Sequence, residues 1–248
     1  SEQQALKPAN ALAAFDLENL ERMKAYCVPE PKRTIEGLIN IYREFEWGRA
    51  YAAGTDPADG VGRDDSVTVV MDRDSGFVVA DIKGNQIKPP EFTALSLILM
   101  NEYHNPRWAI ESNNTAGGVV TTRAILAKYK NFFKSTTQGG IRKIGWHTNK
   151  NSRAAVWTDL IEATDAGRIT IPNLAGLNQF ETVIKHPDND YKPEAQGGEH
   201  DDYPMAVGLA LQASSQSKRK LSGADEPEHG RTKRSRRRRA STSHHRRF

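Results

Sequence analysis

The sequence predicts an α/β fold with a mixed β-sheet and helices on both of its faces. Two runs rich in β-branched residues, 66–71 and 77–82, flank the turn-forming segment 72–76, and a short apolar run at 50–56 precedes them. Beyond these runs the apolar pattern becomes helical and alternates with further short strands. Three antiparallel strands followed by alternating helices and strands are typical of a mixed sheet that helices cover on both faces.

The residues before the first of these strands predict a helical connector at 1–34. Apolar residues recur at roughly helical spacing over 11–27, and Pro29 ends the pattern. Residues 37–42 alternate weakly and are compatible with either a strand or a short helix.

After the antiparallel strands, two of the predicted helices have clear boundary signals. Pro89 and Pro90 open one helix, and Gly167 ends another. The predicted series is a helix at 91–103, a buried strand at 108–111, a helix at 115–129, a strand at 141–147, a helix at 153–166 and a final helix at 201–212. The order βββαβαβα before the final helix is that of a ribonuclease H-like fold, which we assign to residues 35–213.

The composition excludes two classes of protein. The chain has 248 residues, of which 37% are hydrophobic, and its mean hydropathy is −0.67. It contains no apolar stretch of about 18 residues, the length needed to cross a bilayer. Its one cysteine, Cys27, excludes an intramolecular disulfide and a cysteine-based zinc site.

Charge divides the chain into an acidic body and a basic tail. Residues 216–248 contain 12 of the 35 Lys and Arg but 3 of the 31 Asp and Glu, so this part carries +9 and residues 1–215 carry −5. We expect residues 214–248 to be disordered because they include hardly any apolar side chain. Such a tail predicts non-specific, salt-dependent binding of nucleic acid. A docking segment for another motor protein is the alternative.

Acidic residues stand at the ends of three predicted elements. Asp56 closes the first strand, Glu111 closes the fourth, and Asp201 and Asp202 begin the last helix. If the first and fourth strands lie side by side, their carboxylates converge at the edge where ligands of α/β sheets commonly bind. Carboxylates hold Mg²⁺ or Mn²⁺ rather than zinc. Two such ions about 3.5–4 Å apart could act on a phosphodiester.

Each of these acids also has a purely structural interpretation. Asp56 precedes Pro57, which is a common turn sequence. Asp201 or Asp202 can cap the N-terminus of a helix, and Arg123 can neutralise Glu111. The residues by themselves leave the choice open.

Taken together, three short motifs resemble the nuclease domain of the large terminase subunit of tailed bacteriophages. They occur in the family's order and at similar intervals, and the resemblance covers about residues 35–213. The motifs are GTDPA at 54–58 followed by Asp65-Ser66, IESNN at 110–114 with Gly117, and HDD at 200–202 with Ala206 and Ala210; residues 167–172 and 178–182 fit the run that leads to the last motif.

The resemblance implies a metal-dependent endonuclease that cuts concatemeric viral DNA during packaging. It implies a catalytic set of Asp56, Glu111 and Asp202, with Asp201 as a further metal ligand and Asp65 as an auxiliary one. His200, beside the paired aspartates, would support the ligands or donate a proton.

The resemblance also implies partners and a location. Double-stranded DNA would be the substrate, and the portal and the small terminase subunit would be partners in the full motor. The chain would act in the host cytoplasm and transiently at the procapsid portal. No glycine-rich loop ending in Gly-Lys-Ser/Thr occurs in the sequence, so we expect no ATPase activity of that type and an excised domain or a stand-alone relative.

Basic residues near the motifs are candidate DNA contacts. Four lie around the predicted helix at 153–166 and two lie in the loop before the last motif, a loop with the composition of a hairpin that reaches over a substrate. They are Arg142, Lys143, Lys150, Arg153, Lys185 and Lys192. Ordinary solvated charges are the simpler interpretation of any one of them.

Two other functions fit the same sequence. One is a non-catalytic DNA-binding or motor-docking module in which the acids are structural. The other is a different ribonuclease H-like nuclease, such as a resolvase or transposase, which would prefer junctions or specific DNA ends.

Overall fold

A six-stranded sheet forms the centre of the computed structural model, which describes residues 12–136, 140–186 and 192–215. Its strands in spatial order are β1-β2-β5-β4-β3-β6, and all pairs are antiparallel except β3 with β6. The bounds are β1 Arg33–Ile35, β2 Ile39–Ile41, β3 Tyr51–Asp56, β4 Ser66–Asp72, β5 Val78–Gly84 and β6 Arg107–Ile110. The predicted antiparallel strands and the mixed sheet are therefore confirmed.

Helices cover both faces of the sheet, as predicted. One apolar core lies under α2 and α3 and includes Phe92, Leu99 and Trp108, and the other lies under α1, α4, α5 and α6 and includes Trp157 and Leu209. The bounds are α1 Leu17–Lys24, α2 Pro89–Glu102, α3 Thr115–Leu126, α4 Lys150–Asp165, α5 Leu174–Glu181 and α6 Asp202–Ser215. Both faces of the central strand β4 are buried, which explains its unbroken β-branched run.

The last helix packs directly on the strand that carries Asp56. A Cβ atom added at Gly54 of β3 would lie 2.0 Å from the backbone oxygen of Ala206 and 2.3 Å from the backbone nitrogen of Ala210. Glycine in the strand and alanines in the helix therefore allow the two backbones to approach closely. This contact sets the start of α6 near the end of β3.

The N-terminal helix is shorter than predicted and belongs to the second of these cores. It begins after Asp16, whose carboxylate caps it by accepting the Glu18 N–H at 2.9 Å. Leu20 and Met23 are buried against the elements that carry Trp157 and Phe180. The helix of the predicted connector (1–34) therefore packs in the same core as elements that follow residue 34.

The predicted strand at 141–147 was wrong in its extent and in its main pairing. Residues Arg142–Ile144 form β8, which pairs with β7 (Lys134–Thr136) in a separate hairpin. Gly145 follows with φ +87°, a left-handed conformation that ends the strand. Trp146 then joins the edge of the main sheet through a parallel bridge to Glu111.

Two elements settle questions that the sequence left open, and one is new. The segment 37–42 contains the strand β2, and a second hairpin, β9 (Val183–His186) with β10 (Lys192–Ala195), forms in the region before the last motif. The helix α5 was not predicted. The last helix runs to Ser215, and the predicted basic tail from residue 216 onward lies outside the described residues, as do residues 1–11. Among the described helices, none has the length and apolar character of a membrane span.

Candidate metal centre

The parallel pairing of β3 and β6 brings Asp56 and Glu111 together. The Glu111 N–H donates to the Thr55 carbonyl at 2.9 Å, so the two acids leave neighbouring strand ends side by side. Burial raises the pKa of Asp56 well above its usual value, and the charge of Glu111 raises it further.

A buried chain of hydroxyl groups supports the end of β3. The Trp108 indole N–H donates to the Thr55 hydroxyl at 2.7 Å, which lies 2.8 Å from the Thr68 hydroxyl. Thr68 in turn lies 3.1 Å from the Ser96 hydroxyl of α2. Because these groups satisfy one another away from water, they fix the backbone beside Asp56.

The start of α6 contributes the two adjacent aspartates. Asp202 Oδ2 accepts the backbone N–H of Asp65 at 2.9 Å. Burial raises the pKa of Asp202 to about 6, although that hydrogen bond opposes the rise. Asp201 is held by Arg153, whose Nη2 lies 2.7 Å from Asp201 Oδ2. Burial raises the pKa of Asp201 and the charge of Arg153 opposes it.

The two remaining predicted site residues have different surroundings. Asp65 Oδ2 lies 2.7 Å from the Lys83 ammonium and accepts a long hydrogen bond from Gln179 at 3.5 Å, so its carboxylate is already engaged. His200 Nδ1 lies 3.6 Å from Asp202 Oδ2 and 3.8 Å from Asp64 Oδ1. The imidazole therefore adjoins the acids, as the sequence predicted.

Three of the five predicted metal ligands, Asp56, Asp65 and Asp202, border one cavity of about 330 Å³. Within the described residues, no three Asp, Glu, His or Cys side chains are arranged to bind one ion. Two of the acids are instead held by basic side chains, Asp201 by Arg153 and Asp65 by Lys83. The group offers carboxylate oxygens without a thiolate, a donor set that suits Mg²⁺ or Mn²⁺. The polar residues that line the cavity are Asp56, Asp59, Arg63, Asp64, Asp65, Asn114 and Asp202.

The predicted DNA contacts occupy three elements. Arg142 and Lys143 are exposed on β8, and Lys150 is the first residue of α4. Lys185 lies on β9 and Lys192 on β10, at register positions one residue apart, so their side chains leave opposite faces of that hairpin. Arg153 differs from them because it is paired with Asp201.

Three residues at or near the site escaped the sequence analysis. Lys83 neutralises Asp65, and the Gln179 side-chain oxygen accepts the Tyr203 N–H at 2.8 Å. Asp81 is fully buried and accepts hydrogen bonds from four side chains: Asn40, Tyr42, Asn173 and Tyr203. The aspartate within the β-branched run 77–82 was a visible signal, because an acid in a buried strand needs partners.

Comparisons with known proteins agree with the fold and the motifs. Residues 53–214 match the family model described as the terminase RNaseH-like domain. The large terminase nuclease of thermophilic phage G20c with bound magnesium superposes with a TM-score of 0.65 at 16% identity, covering 83% of this chain and 98% of that one. The nuclease domain of the Thermus phage P74-26 large terminase gives 0.59 at 15% identity, covering 77% and 93%.

A more distant viral protein shares the same architecture. The human cytomegalovirus terminase nuclease domain, soaked with manganese and bound to an inhibitor, gives a TM-score of 0.50 at 12% identity, with 82% and 96% covered. No curated protein sequence matches the chain. The family match spans well over half of the chain and contains all three motifs. The chain therefore belongs to the terminase ribonuclease H-like domain family.

Proposed function

We propose that the chain is a divalent-metal-dependent endonuclease that cleaves double-stranded, concatemeric viral DNA during genome packaging. The observation that carries the proposal is the convergence of Asp56, Glu111 and Asp202 from two parallel strand ends and a helix start. Buried carboxylates with raised pKa values are costly to retain without a cation. Such groups are typical of functional sites.

Asp56, Glu111 and Asp202 would hold the metal, with Asp201 as a further ligand and Asp65 as an auxiliary one. When bound, Mg²⁺ or Mn²⁺ lowers the pKa of a water and stabilises charge on the phosphodiester oxygens. We propose two ions. The large terminase nuclease of phage G20c was solved with magnesium, with cobalt and with zinc, which supports the use of a divalent cation.

The chain's own residues prepare the site for these ligands. Because the pKa of Asp56 is raised, metal binding at Asp56 competes with protonation of its carboxylate. Arg153 keeps Asp201 oriented in the meantime. His200, 3.6 Å from Asp202 Oδ2, is placed to accept or supply a proton at that carboxylate.

The basic hairpins are proposed to hold the DNA backbone. Arg142, Lys143 and Lys150 would bind phosphates beside the second motif, while Lys185 and Lys192 would do so beside the third. Phosphate contacts of this kind position a duplex and do not read its sequence. We propose that the domain works in the host cytoplasm and at the procapsid portal, with the portal and the small terminase subunit as partners.

A second candidate is a non-catalytic module that binds DNA or docks to the motor. The observation that favours it is the internal pairing of Asp201 with Arg153 and of Asp65 with Lys83, which neutralises two acids without a metal. The two candidates differ in one requirement, because only cleavage needs Asp56, Glu111 and Asp202 to share a metal.

The deciding experiment incubates the full chain with supercoiled plasmid in Mg²⁺, Mn²⁺ or EDTA. We expect nicking and linearisation with metal and no cleavage in EDTA or by Asp56→Ala. Asp74→Ala is the matched control, because Asp74 is exposed in the turn between β4 and β5, at the opposite end of the sheet. DNA binding without cleavage under either metal would favour the non-catalytic module, and cleavage by Asp56→Ala would refute the proposed site.

A further inference from the structure

The acidic cavity contains one basic residue among its lining residues, Arg63. Five aspartates border the same cavity, yet the Arg63 guanidinium makes no ion pair or hydrogen bond with any residue in the described ranges. The other two basic residues near the acids behave differently, since Lys83 and Arg153 each contact an aspartate at 2.7 Å. Arg63 therefore brings a positive charge to the cavity, and no side chain in the described ranges forms an ion pair with it.

The loop that carries Arg63 is anchored at its start. The Asn114 side chain donates to the Pro57 carbonyl at 2.8 Å, and the Ala58 N–H donates to the Ser66 hydroxyl at 3.0 Å. Gly60 packs so tightly that an added Cβ atom would lie 2.4 Å from the Ile87 carbonyl oxygen. The first half of the loop is thus fixed to the second motif and to the start of α2.

The same loop is anchored on both sides of Arg63. The Gly62 N–H donates to the Asn85 carbonyl at 2.8 Å, and the Asp65 N–H donates to Asp202 at 2.9 Å. Arg63 lies between these two bonds, so its backbone is held while its side chain remains exposed. An arginine presented in this way loses little backbone freedom when it binds a ligand.

We propose that Arg63 binds a backbone phosphate of the DNA strand at the cleavage site. The proposal rests on the proposed nuclease function and names the group that recognises the substrate there. A phosphate that approaches five aspartates is repelled, and a guanidinium offsets this by donating two parallel hydrogen bonds to phosphate oxygens. Because Arg63 has no internal partner, no existing ion pair must break for it to do so.

The rival role for Arg63 is a general counter-charge for the carboxylates. In that role its removal would strengthen the binding of Mn²⁺ and leave the recognition of DNA unchanged. A phosphate-binding arginine has the opposite signature, with DNA affinity lost and Mn²⁺ affinity retained. The two roles are therefore separable by measuring both ligands on one set of variants.

The test compares Arg63→Ala and Arg63→Lys with Arg168→Ala in the full chain. Arg168 is exposed and follows α4 at the end of the sheet away from the cavity, so it controls for the loss of a surface charge. A labelled short DNA duplex is titrated in Ca²⁺ and, separately, in EDTA over a range of salt concentrations. Mn²⁺ binding is followed by electron paramagnetic resonance, and plasmid cleavage is measured in Mn²⁺.

For Arg63→Ala we expect roughly tenfold weaker duplex binding in Ca²⁺, the loss associated with one charged hydrogen-bonded contact. The slope of log affinity against log salt should fall by about 0.9. In cleavage, KM should rise more than kcat falls. Arg63→Lys should recover the salt slope but only part of the affinity, because lysine retains the charge and loses the paired geometry.

Unchanged duplex binding by Arg63→Ala, or a loss equal to that of Arg168→Ala, would overturn the proposal. Tighter Mn²⁺ binding with unchanged DNA binding would establish the counter-charge role instead. If the wild-type chain never cuts DNA, the proposed function fails. The duplex titrations still decide whether Arg63 contacts phosphate, because they do not depend on cleavage.

Discussion

Replacing Asp202 with asparagine is expected to stabilise the metal-free protein while it abolishes metal binding. Asparagine has nearly the same shape and can still accept the Asp65 N–H that Asp202 accepts at 2.9 Å. It carries no charge, so the burial that penalises the carboxylate no longer matters. The same change removes a charge that raises the pKa of Asp56.

The size of the effect follows from the raised pKa of Asp202. Burial raises this pKa from 3.8 to about 6, so folding favours the protonated form. The associated stability is complete below pH 3.8 and is lost as the pH rises through about 6. A shift of this size corresponds to about 3 kcal/mol in the free energy of unfolding. In EDTA at pH 8, Asp202→Asn should therefore be more stable than the wild type by about that amount.

Urea unfolding in EDTA between pH 4 and pH 8 measures this difference, with Asp74→Asn as the exposed control. Both proteins should lose stability across this range, but the wild type should lose about 3 kcal/mol more than Asp202→Asn, so that the two curves meet near pH 4. Mn²⁺ at about 1,000 times the wild-type Kd should reverse the order, because it adds about 4.1 kcal/mol to a protein that binds it. Equal stabilities at pH 8 in EDTA, or equal stabilisation by Mn²⁺, would refute the reasoning.

Three further changes test the packing and electrostatics around the site. Gly54→Ala should lower the free energy of unfolding by at least about 3 kcal/mol because it pushes α6 off β3. Gly118→Ala, in an open helical position, should instead raise it by about 0.5–1 kcal/mol. Urea unfolding measures both effects, and equal effects would contradict the close contact at Gly54. Asp81→Ala leaves four donors without an acceptor, one of them the buried Tyr203 hydroxyl, and should cost about 3–5 kcal/mol by the same measurement. A loss below about 1 kcal/mol would show that the network contributes little. Arg153→Ala should move the acid limb of Mn²⁺-dependent cleavage to higher pH, since the charge of Arg153 lowers the pKa of Asp201; an unmoved limb would show that Asp201 does not titrate with activity.

The sheet and the main acids could be predicted because their signals are local and continuous. A strand buried on both faces, such as β4, needs an unbroken run of β-branched residues, and the run is visible in the sequence. Asp56 and Glu111 each stand at the end of a short, mostly buried strand, so one assumption about neighbouring strands was enough to bring them together. The parallel pairing of β3 with β6 confirms that assumption.

The bounds of the hairpin strands, and α5 as a whole, were not predicted because these elements are short. β7, β8, β9 and β10 have three or four residues each, too few for an alternating pattern to develop. Gly145 also interrupts the apolar run that suggested one longer strand, and only its left-handed φ of +87° explains where that strand ends.

The ion pairs around the site could not be derived from spacing. Arg153 and Asp201 lie 48 residues apart in the sequence. Lys83 contacts Asp65 from strand β5. Such pairs depend on the final packing of single charged side chains, which have no periodic signature. Arg153 was consequently predicted as a DNA contact, whereas the structure shows that its guanidinium is bound to Asp201.

The central claim is that Asp56, Glu111 and Asp202 bind the same metal, and a Mn²⁺ titration of the full chain tests it most directly. Electron paramagnetic resonance reports the free ion without requiring cleavage or DNA. We predict saturable binding by the wild type and by Asp74→Asn, and binding weakened by more than about tenfold in Asp56→Asn, Glu111→Gln and Asp202→Asn, since even outer partners of a metal site contribute that much. Wild-type affinity in any one of those three variants would contradict the claim that they share the ion.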